Sequence, residues 1–216
     1  MSKLLSVLMS NKGGGLSNIL DYNNTPFLCH FDGDVNNLGY GGSIQRLGSS
    51  SYTATPSKFG TYSLKAISWA DLSGFAYEPT DKYTVECWAY NPDTSANLIC
   101  WTRGGDDTNA YLWVAMDSEN SAITIRTTTM VSVPVDKTIF HHIAFTYDGN
   151  QNFNIFIDGE LKHSGTAHTV VSNMGHYSPD VNTIHGNNTR ISEYVIHKGI
   201  RYTENFTPLN VPYVIQ

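Results

Sequence analysis

The sequence predicts an all-β fold in which two antiparallel sheets form a jelly-roll sandwich behind an extended N-terminal arm. Only 15% of the 216 residues are charged, compared with roughly 25% in an average domain. Asn, Thr, Ser, Gly and 13 Tyr take the place of the missing charged residues, and this composition suits strands and turns. From Phe27 onward, short runs of period two alternate with turn residues. Past Pro26, no segment longer than about ten residues keeps a helical period. The length suits one domain.

Residues 1–25 are predicted to be the arm, because they hold too few apolar side chains to form a core of their own. Gly13, Gly14 and Gly15 form a flexible hinge within it. Such an arm is either a disordered terminus or a tether that becomes ordered against a partner. We predict an anchoring tether and a globular domain over residues 26–216. The candidate anchoring residues are Leu4, Leu5, Leu8, Leu16, Ile19 and Leu20.

The clearest strands lie in the middle of the chain. Residues 83–90 place Val85, Cys87 and Ala89 on one face. Residues 142–147 and 153–157 repeat this period on either side of the turn Asp148-Gly149-Asn150, which is a strong hairpin signal. These two runs predict a β-meander. Further strands are predicted over residues 62–67, 98–102, 111–116, 122–127, 181–185 and 191–197.

The charge and the cysteines limit the partners and the compartment. Thirteen Lys and Arg against 19 Asp and Glu give a formal charge of -6, and the basic residues are scattered, so no nucleic-acid or membrane partner is expected. No apolar run reaches the roughly 18 residues of a membrane span, and no signal-peptide cleavage site follows Met9.

The three cysteines, Cys29, Cys87 and Cys100, lie beside apolar neighbours, which indicates buried thiols in a protein matured in a reducing cytosol.

The order of several motifs resembles a laminin-G-like, concanavalin A-like jelly-roll domain over residues 27–212. Residues 140–149 (Phe-His-His-Ile-Ala-Phe-Thr-Tyr-Asp-Gly) are similar to a family strand that begins with Trp where Phe140 stands here. The other motifs are Phe31-Asp32-Gly33 and residues 58–64, 83–88, 155–159 and 191–196. The resemblance implies a fold shared by lectins and glycoside hydrolases.

Residues 198–208 (Lys-Gly-Ile-Arg-Tyr-Thr-Glu-Asn-Phe-Thr-Pro) resemble the ending that such domains carry in virion proteins of tailed bacteriophages. This resemblance implies a virion protein assembled in the host cytoplasm, either a capsid decoration or head-fibre protein or a tail-associated receptor-binding protein. Its expected partners are other virion proteins, reached through the arm, further copies of itself, and host surface glycans. Independently of the family, Tyr202 and Phe206 are predicted to pack back on the sandwich as a strap, kept extended by Pro208 and Pro212.

The best candidate glycan-binding loop is formed by residues 101–111. Its polar and aromatic side chains can stack on a sugar and bond to its hydroxyl groups, and its oxygen atoms also suit calcium. The binding role requires no cofactor, and the sequence fixes no metal site. The alternative is a solvated hairpin loop whose aromatic residues only close the sandwich. The candidate residues are Trp101, Arg103, Asp106, Asp107, Asn109 and Tyr111.

The sequence gives no catalytic constellation, and we predict that the protein is not an enzyme. Hydrolysis of a glycosidic bond needs two carboxylates around that bond, and no predicted strand carries such a pair. A glycan-cleaving enzyme stays open as an alternative, since residues on different strands can come together in space. His141 and His142 are neighbours on a strand, so they point to opposite faces and cannot share a metal.

Overall fold

The structure is a computed structural model that describes residues 17–34, 36–41, 43–46, 51–66, 69–73, 82–90, 97–103, 111–117, 122–126, 130–136, 138–150, 152–166, 183–185 and 189–216. This part of the chain is built from strands, and its only helix is the single 3-10 turn η1 at Tyr22–Asn24. No helix among these residues has the length and apolar character needed to cross a membrane.

The strands follow one another with bends and loops between them. In chain order they are β1 (Ile19–Leu20), β2 (Phe27–Cys29), β3 (Ser43–Arg46), β4 (Ser51–Thr53), β5 (Ser63–Ala66), β6 (Trp69–Ser73), β7 (Tyr83–Tyr90), β8 (Asn97–Arg103), β9 (Tyr111–Asp117), β10 (Ala122–Arg126), β11 (Met130–Pro134), β12 (His141–Tyr147), β13 (Asn152–Ile157), β14 (Glu160–Thr166), β15 (Thr183–His185), β16 (Thr189–Lys198) and β17 (Val214–Ile215).

Two antiparallel sheets make up the sandwich, which confirms the predicted fold class. The first runs β14-β13-β12-β7-β16-β5-β4, with β2 paired to β16. The second runs β11-β10-β9-β8-β15-β6-β3. Half of the neighbouring strands in these two orders are not consecutive in the chain, because connections such as β7 to β8 and β11 to β12 cross from one sheet to the other, as expected of a jelly roll.

The inner face of the first sheet carries the main hydrophobic core. Val85, Cys87 and Ala89 of β7 are buried there, which confirms that they share one face of this strand. They pair with Phe145, Ile143 and His141 of β12 respectively. Complete burial of a large apolar side chain contributes about 1.5–3 kcal/mol to the stability of the fold.

Cys29 and Cys87 are buried free thiols, as predicted, and burial raises the pKa of Cys29 to about 12.

The outer face of the same sheet is covered by the C-terminal strap (residues 199–216). Tyr202 and Phe206 of the strap pack on Ala144 and Phe156 of the meander. A separate cluster joins Tyr213 to Leu20, Leu28 and Val195. The central strands of the first sheet are therefore buried on both faces, and this explains why all seven residues of β12 are buried.

The end of the predicted arm lies against the C-terminus. β1 pairs with β17 in parallel, with Ile19 opposite Val214 and Leu20 opposite Ile215. Leu20 is buried, whereas Ile19 remains exposed. Leu4, Leu5, Leu8 and Leu16 lie outside the described residues, and the anchoring role of the arm stays a prediction.

Candidate functional site

The predicted glycan-binding loop connects β8 to β9. These strands pair antiparallel, and Arg103 lies opposite Tyr111 in the last pair before the loop. The structure therefore brings Trp101, Arg103 and Tyr111 to one end of a hairpin. Asp106, Asp107 and Asn109 lie outside the described residues.

Trp101 occupies an irregular position in β8. Cys100 pairs with Trp113 and Thr102 pairs with Leu112, so two steps along β8 match one step along β9. Trp101 is the extra residue of this β-bulge. Bulges interrupt the ladder and redirect side chains, and they are frequent beside functional sites. The alternation of the sequence alone gives no sign of this bulge.

A buried carboxylate lies at the centre of the outer face of the first sheet. Glu86 of β7 is fully buried, and its Oε2 accepts hydrogen bonds from Tyr202 at 2.5 Å and Tyr213 at 3.1 Å. His142 Nε2 lies 3.1 Å from the same oxygen. Arg201 Nε forms an ion pair with Oε1 at 3.0 Å. Three strap residues and one β12 residue thus converge on one side chain.

The charge of Glu86 is stabilised by these partners. Burial alone would raise the pKa of this carboxyl, but Arg201, His142 and Tyr202 lower it to about 2. The same carboxylate raises the pKa of the Arg201 guanidinium above its ordinary value, although burial opposes this. Glu86 is therefore an ionised residue that solvent does not reach. Its role is structural, because its hydrogen bonds and ion pair hold the strap on the sheet.

A second buried carboxylate, that of Glu193, lies in a strained part of β16. Its backbone has a φ of 54°, and the register with β7 shifts between Ser192 and Val195. Its Oε1 contacts His30 Nδ1 at 2.5 Å, and its Oε2 accepts the backbone N–H of Tyr213 at 3.0 Å. The hydrogen bond to Glu193 raises the pKa of His30. This carboxylate again holds structural elements together.

The two adjacent histidines have separate partners, in line with the opposite faces predicted for them. His141 Nδ1 lies 2.6 Å from Asp158 Oδ2, and its Nε2 lies 2.7 Å from the backbone oxygen of Asp136. His142 contacts Glu86 instead. Among the described residues, no three His, Cys, Asp or Glu side chains come together as a metal site.

Trp88, an aromatic residue on the outer face, is closed to ligands in this structure. Lys58 Nζ lies 3.8 Å from the centre of its ring, and the Phe59 ring meets it edge-on at 5.9 Å. Burial beside these rings lowers the pKa of Lys58. Trp88 is 8% exposed, so its contribution is packing and a cation–π contact.

Comparison with protein families gives one match. The family model of the concanavalin A-like lectin/glucanases superfamily matches residues 64–194, which spans β5 to most of β16. No curated protein sequence matches the chain.

Solved structures share the fold at low sequence identity. The binding domain of Paraclostridial Mosquitocidal Protein 1 is 9% identical, with a TM-score of 0.58, over 84% of this chain and 50% of that one. The botulinum neurotoxin serotype D ligand-binding domain, in complex with N-acetylneuraminic acid, is 12% identical, with a TM-score of 0.55, over 84% and 49%. The chain thus spans about half the length of these two toxin domains.

A third similar structure matches over nearly its whole length. Domain 4 of AbnA, a GH43 extracellular arabinanase from Geobacillus stearothermophilus in complex with arabinotriose, is 16% identical, with a TM-score of 0.54. The match covers 82% of this chain and 93% of that domain.

Proposed function

Since the chain belongs to the concanavalin A-like lectin/glucanases superfamily, we propose that it is a non-enzymatic virion protein of a tailed phage that presents a glycan-binding domain. The observation that carries the glycan-binding part is the β8–β9 hairpin. It places a bulged Trp101 beside a terminal pair of Arg103 and Tyr111, in a domain with a lectin fold. An aromatic ring and nearby polar groups are what a sugar site needs.

The similar structures support a binding role. One toxin domain is in complex with N-acetylneuraminic acid, and the arabinanase domain is in complex with arabinotriose. At 12% and 16% identity these similarities concern the fold and not the identity of the sugar. The ligand in this proposal is a glycan on the surface of the host.

The buried carboxylates favour binding over hydrolysis. Glu86 and Glu193 are 0% and 1% exposed, and their oxygens contact strap residues. Glu160 is exposed and paired with Lys162 at 2.5 Å. A glycosidase needs two carboxylates that face the same bond. The alternative of a glycan-cleaving enzyme predicts release of reducing ends from host polysaccharide, and an assay without such release would count against it.

The virion assignment rests on residues 198–208, whose sequence resembles the ending of phage virion domains. In this proposal the chain is a capsid decoration or head-fibre protein, attached through its N-terminal arm. A tail-associated receptor-binding protein is the second candidate, and the β8–β9 hairpin would serve it equally well. Localisation on purified particles by immunogold labelling separates head from tail, and a complete lack of label would contradict both.

The glycan-binding proposal is tested with a glycan array. We expect the full chain to bind at least one host-type glycan, and the Trp101→Ala, Asp107→Ala double variant to lose that signal. Tyr62→Ala is a matched control, because Tyr62 is an exposed aromatic residue (39%) on another loop. Since Asp106, Asp107 and Asn109 offer the oxygen ligands that calcium takes, the array is run with calcium and with chelator. Equal signals from the chain and the double variant would contradict the proposed site.

The anchoring proposal has its own test, namely binding of the arm-deleted chain to phage particles. We expect occupancy to fall when the arm is removed. Unchanged occupancy would show that the arm is not the tether.

A further inference from the structure

Two exposed tyrosine rings are in contact on the outside of the first sheet. Tyr22 of η1 is 45% exposed, and Tyr40, in the loop that follows β2, is 40% exposed. Their ring centres lie 6.0 Å apart with the planes at 68°, so the contact is edge-to-face. A tyrosine ring combines a flat apolar face with a polar hydroxyl group, which suits it to stack on a sugar ring and bond to its hydroxyl groups.

Backbone hydrogen bonds hold both rings in place. The backbone N–H of Tyr22 donates to the oxygen of Gln216 at 2.9 Å, and the Tyr22 oxygen accepts the N–H of Thr25 at 3.1 Å. The N–H of Tyr40 donates to the Thr25 oxygen at 3.2 Å. A Cβ added to Gly39 would lie 2.4 Å from that same oxygen, so the loop comes this close because residue 39 is glycine. A surface formed before binding loses little conformational freedom when a ligand binds.

A cation lies beside the two tyrosines. Lys198 is the last residue of β16, and its Nζ lies 5.8 Å from the centre of the Tyr40 ring. Its side chain is exposed, and no carboxylate of the described residues lies within 4 Å of its ammonium group. A cation–π contact at an exposed site is weak, so this ammonium group can still pair with an anion. It offers a local positive charge on a chain that carries -6 overall.

The acidic residue next to Tyr22 is used within its own turn. Asp21 Oδ1 accepts the backbone N–H of Asn23 at 2.9 Å, and its Oδ2 accepts a hydrogen bond from Asn24 Nδ2 at 2.8 Å. These bonds make Asp21 the N-cap of η1. Asp21 therefore shapes the turn that presents Tyr22, and it is not an ion-pair partner of Lys198.

We propose that Tyr22, Tyr40 and Lys198 form a second glycan-binding site, whose ligand is a sugar that carries a carboxylate, that is, a uronic or sialic acid residue. The tyrosine rings stack on the apolar face of the sugar, and their hydroxyl groups bond to its hydroxyl groups. The Lys198 ammonium group pairs with the carboxylate, and such charge-assisted hydrogen bonds are about twice as strong as neutral ones.

This tyrosine site is separate from the β8–β9 hairpin. Lys198 belongs to β16 of the first sheet, whereas β8 and β9 belong to the second sheet. No residue is shared between the two sites. The inference therefore goes beyond the proposed function and does not depend on whether the hairpin binds a glycan.

An array of acidic oligosaccharides tests the proposal on the full chain. The members contain glucuronic, galacturonic, mannuronic or N-acetylneuraminic acid, and each stands beside its methyl ester, which keeps the sugar and lacks the charge. We expect the chain to bind at least one acidic member. Titration followed by NMR should then show that the corresponding ester binds about tenfold more weakly.

Two variants separate the roles of the charge and the rings. Lys198→Gln should weaken binding of the acidic oligosaccharide about tenfold and leave binding of its ester unchanged. The Tyr22→Ala, Tyr40→Ala double variant should lose both. Tyr62→Ala is the matched control and should bind as the natural chain does, because Tyr62 is exposed (39%) on another loop. Lys198→Gln alone keeps the proposal testable if the double variant does not fold.

The Trp101→Ala, Asp107→Ala variant distinguishes the tyrosine site from the hairpin. It should keep its binding to the acidic oligosaccharide, even where it loses another glycan. Loss of acidic binding in this variant, with none in the Tyr22→Ala, Tyr40→Ala variant, would overturn the tyrosine site and leave the hairpin proposal standing.

Three further results would overturn the proposal. The first is a full chain that binds no acidic member of the array. The second is equal affinity for the acid and its methyl ester, which would show that Lys198 does not read the carboxylate. The third is equal affinity for a polyglutamate peptide, which would show that the surface binds anions without recognising a sugar.

Discussion

The hydroxyl group of Tyr202 donates a hydrogen bond to the buried carboxylate of Glu86 at 2.5 Å, which ties the C-terminal strap to β7. The Tyr202 ring also stacks on Phe206 at 3.7 Å, with the two planes 8° apart. Tyr213, further along the strap, donates to the same Glu86 oxygen. The strap is therefore held by apolar contacts and by a shared anion, and it forms an outer layer of the fold.

Tyr202→Phe removes only the hydroxyl group, whose shortest contact is with Glu86, because the ring and its stacking on Phe206 remain. Loss of a donor to a buried charged acceptor is expected to lower the free energy of unfolding by about 1.5–3 kcal/mol. Tyr22→Phe is the matched control, since Tyr22 is 45% exposed and its change should stay within about 0.5 kcal/mol. Urea unfolding measures both, and equal midpoints for the two variants would contradict this role of Tyr202.

Glu86→Gln removes the anion and leaves the Arg201 charge in a buried site. We expect a loss of about 3 kcal/mol in the free energy of unfolding, as for other broken buried ion pairs. Glu160→Gln is the control, because the exposed pair of Glu160 and Lys162 contributes about 0–1 kcal/mol. A small and equal effect of the two substitutions in urea unfolding would show that Glu86 does not hold the strap.

The pH dependence of stability should also report on Glu86. Its pKa is about 2 in the folded protein and ordinary in the unfolded chain, so the unfolded state binds more protons between these values. The stabilisation from Glu86 is complete above about pH 4.5 and is lost as the pH falls toward 2. Thermal unfolding from pH 6 to 2 should show a steeper loss in the natural chain than in Glu86→Gln. Parallel curves would contradict the assignment.

Sequence patterns predicted the strands whose apolar alternation is regular. The run 83–90 coincides with β7, and the run 111–116 differs from β9 by one residue. They could not predict β14 (Glu160–Thr166), whose sequence has no apolar alternation and which pairs with β13 after a turn. β1 and β17 were also missed, since each has two residues and forms only because distant ends of the chain meet.

The candidate site was predictable in part, because the strands on either side of its loop have regular apolar alternation. The spacing of these strands predicted that Arg103 and Tyr111 lie at one end of a hairpin, and they are paired at the end of β8 and β9. The bulge at Trp101 depends on how the two strands pair, which no local pattern records. The convergence of Tyr202, Tyr213 and Arg201 on Glu86 joins residues more than 110 positions apart, although the strap itself followed from its aromatic and proline residues.

The pKa values of two histidines should be shifted in opposite directions from the ordinary value. Burial opposes protonation of His141, but Asp158 and the Asp136 backbone outweigh it and raise its pKa above 6.5. Burial and then Arg201 lower the pKa of His197 to about 4. In NMR titrations near pH 5.5, His141 should therefore be charged and His197 neutral.

These titrations have opposite effects on stability. The contribution of His141 is present below pH 6.5 and is lost as the pH rises through its raised pKa. The contribution of His197 is present above pH 6.5 and is lost as the pH falls toward 4. Ring signals of both residues that titrate together near 6.5 would contradict the structure around them.

Gly159→Ala should release the middle of the strap. Gly159 has a φ of 79°, and an added Cβ would lie 1.9 Å from the backbone oxygen of Phe206. The Gly159 oxygen also accepts the Phe206 N–H at 2.8 Å, so the methyl group would push apart two hydrogen-bonded backbone segments. Gly199→Ala is a matched control, because Gly199 has a φ of 98° with no atom within 4 Å of an added Cβ.

Both substitutions carry the cost of a left-handed alanine, about 1–2 kcal/mol, but only Gly159→Ala adds the clash with Phe206. We therefore expect Gly159→Ala to lower the free energy of unfolding by at least about 2 kcal/mol more than Gly199→Ala. It should also increase amide exchange at residues 205–207, whereas Gly199→Ala should not. If the two variants were equally stable, the contact between the β13–β14 turn and the strap would not contribute to the fold, and the strap would be held by its other contacts.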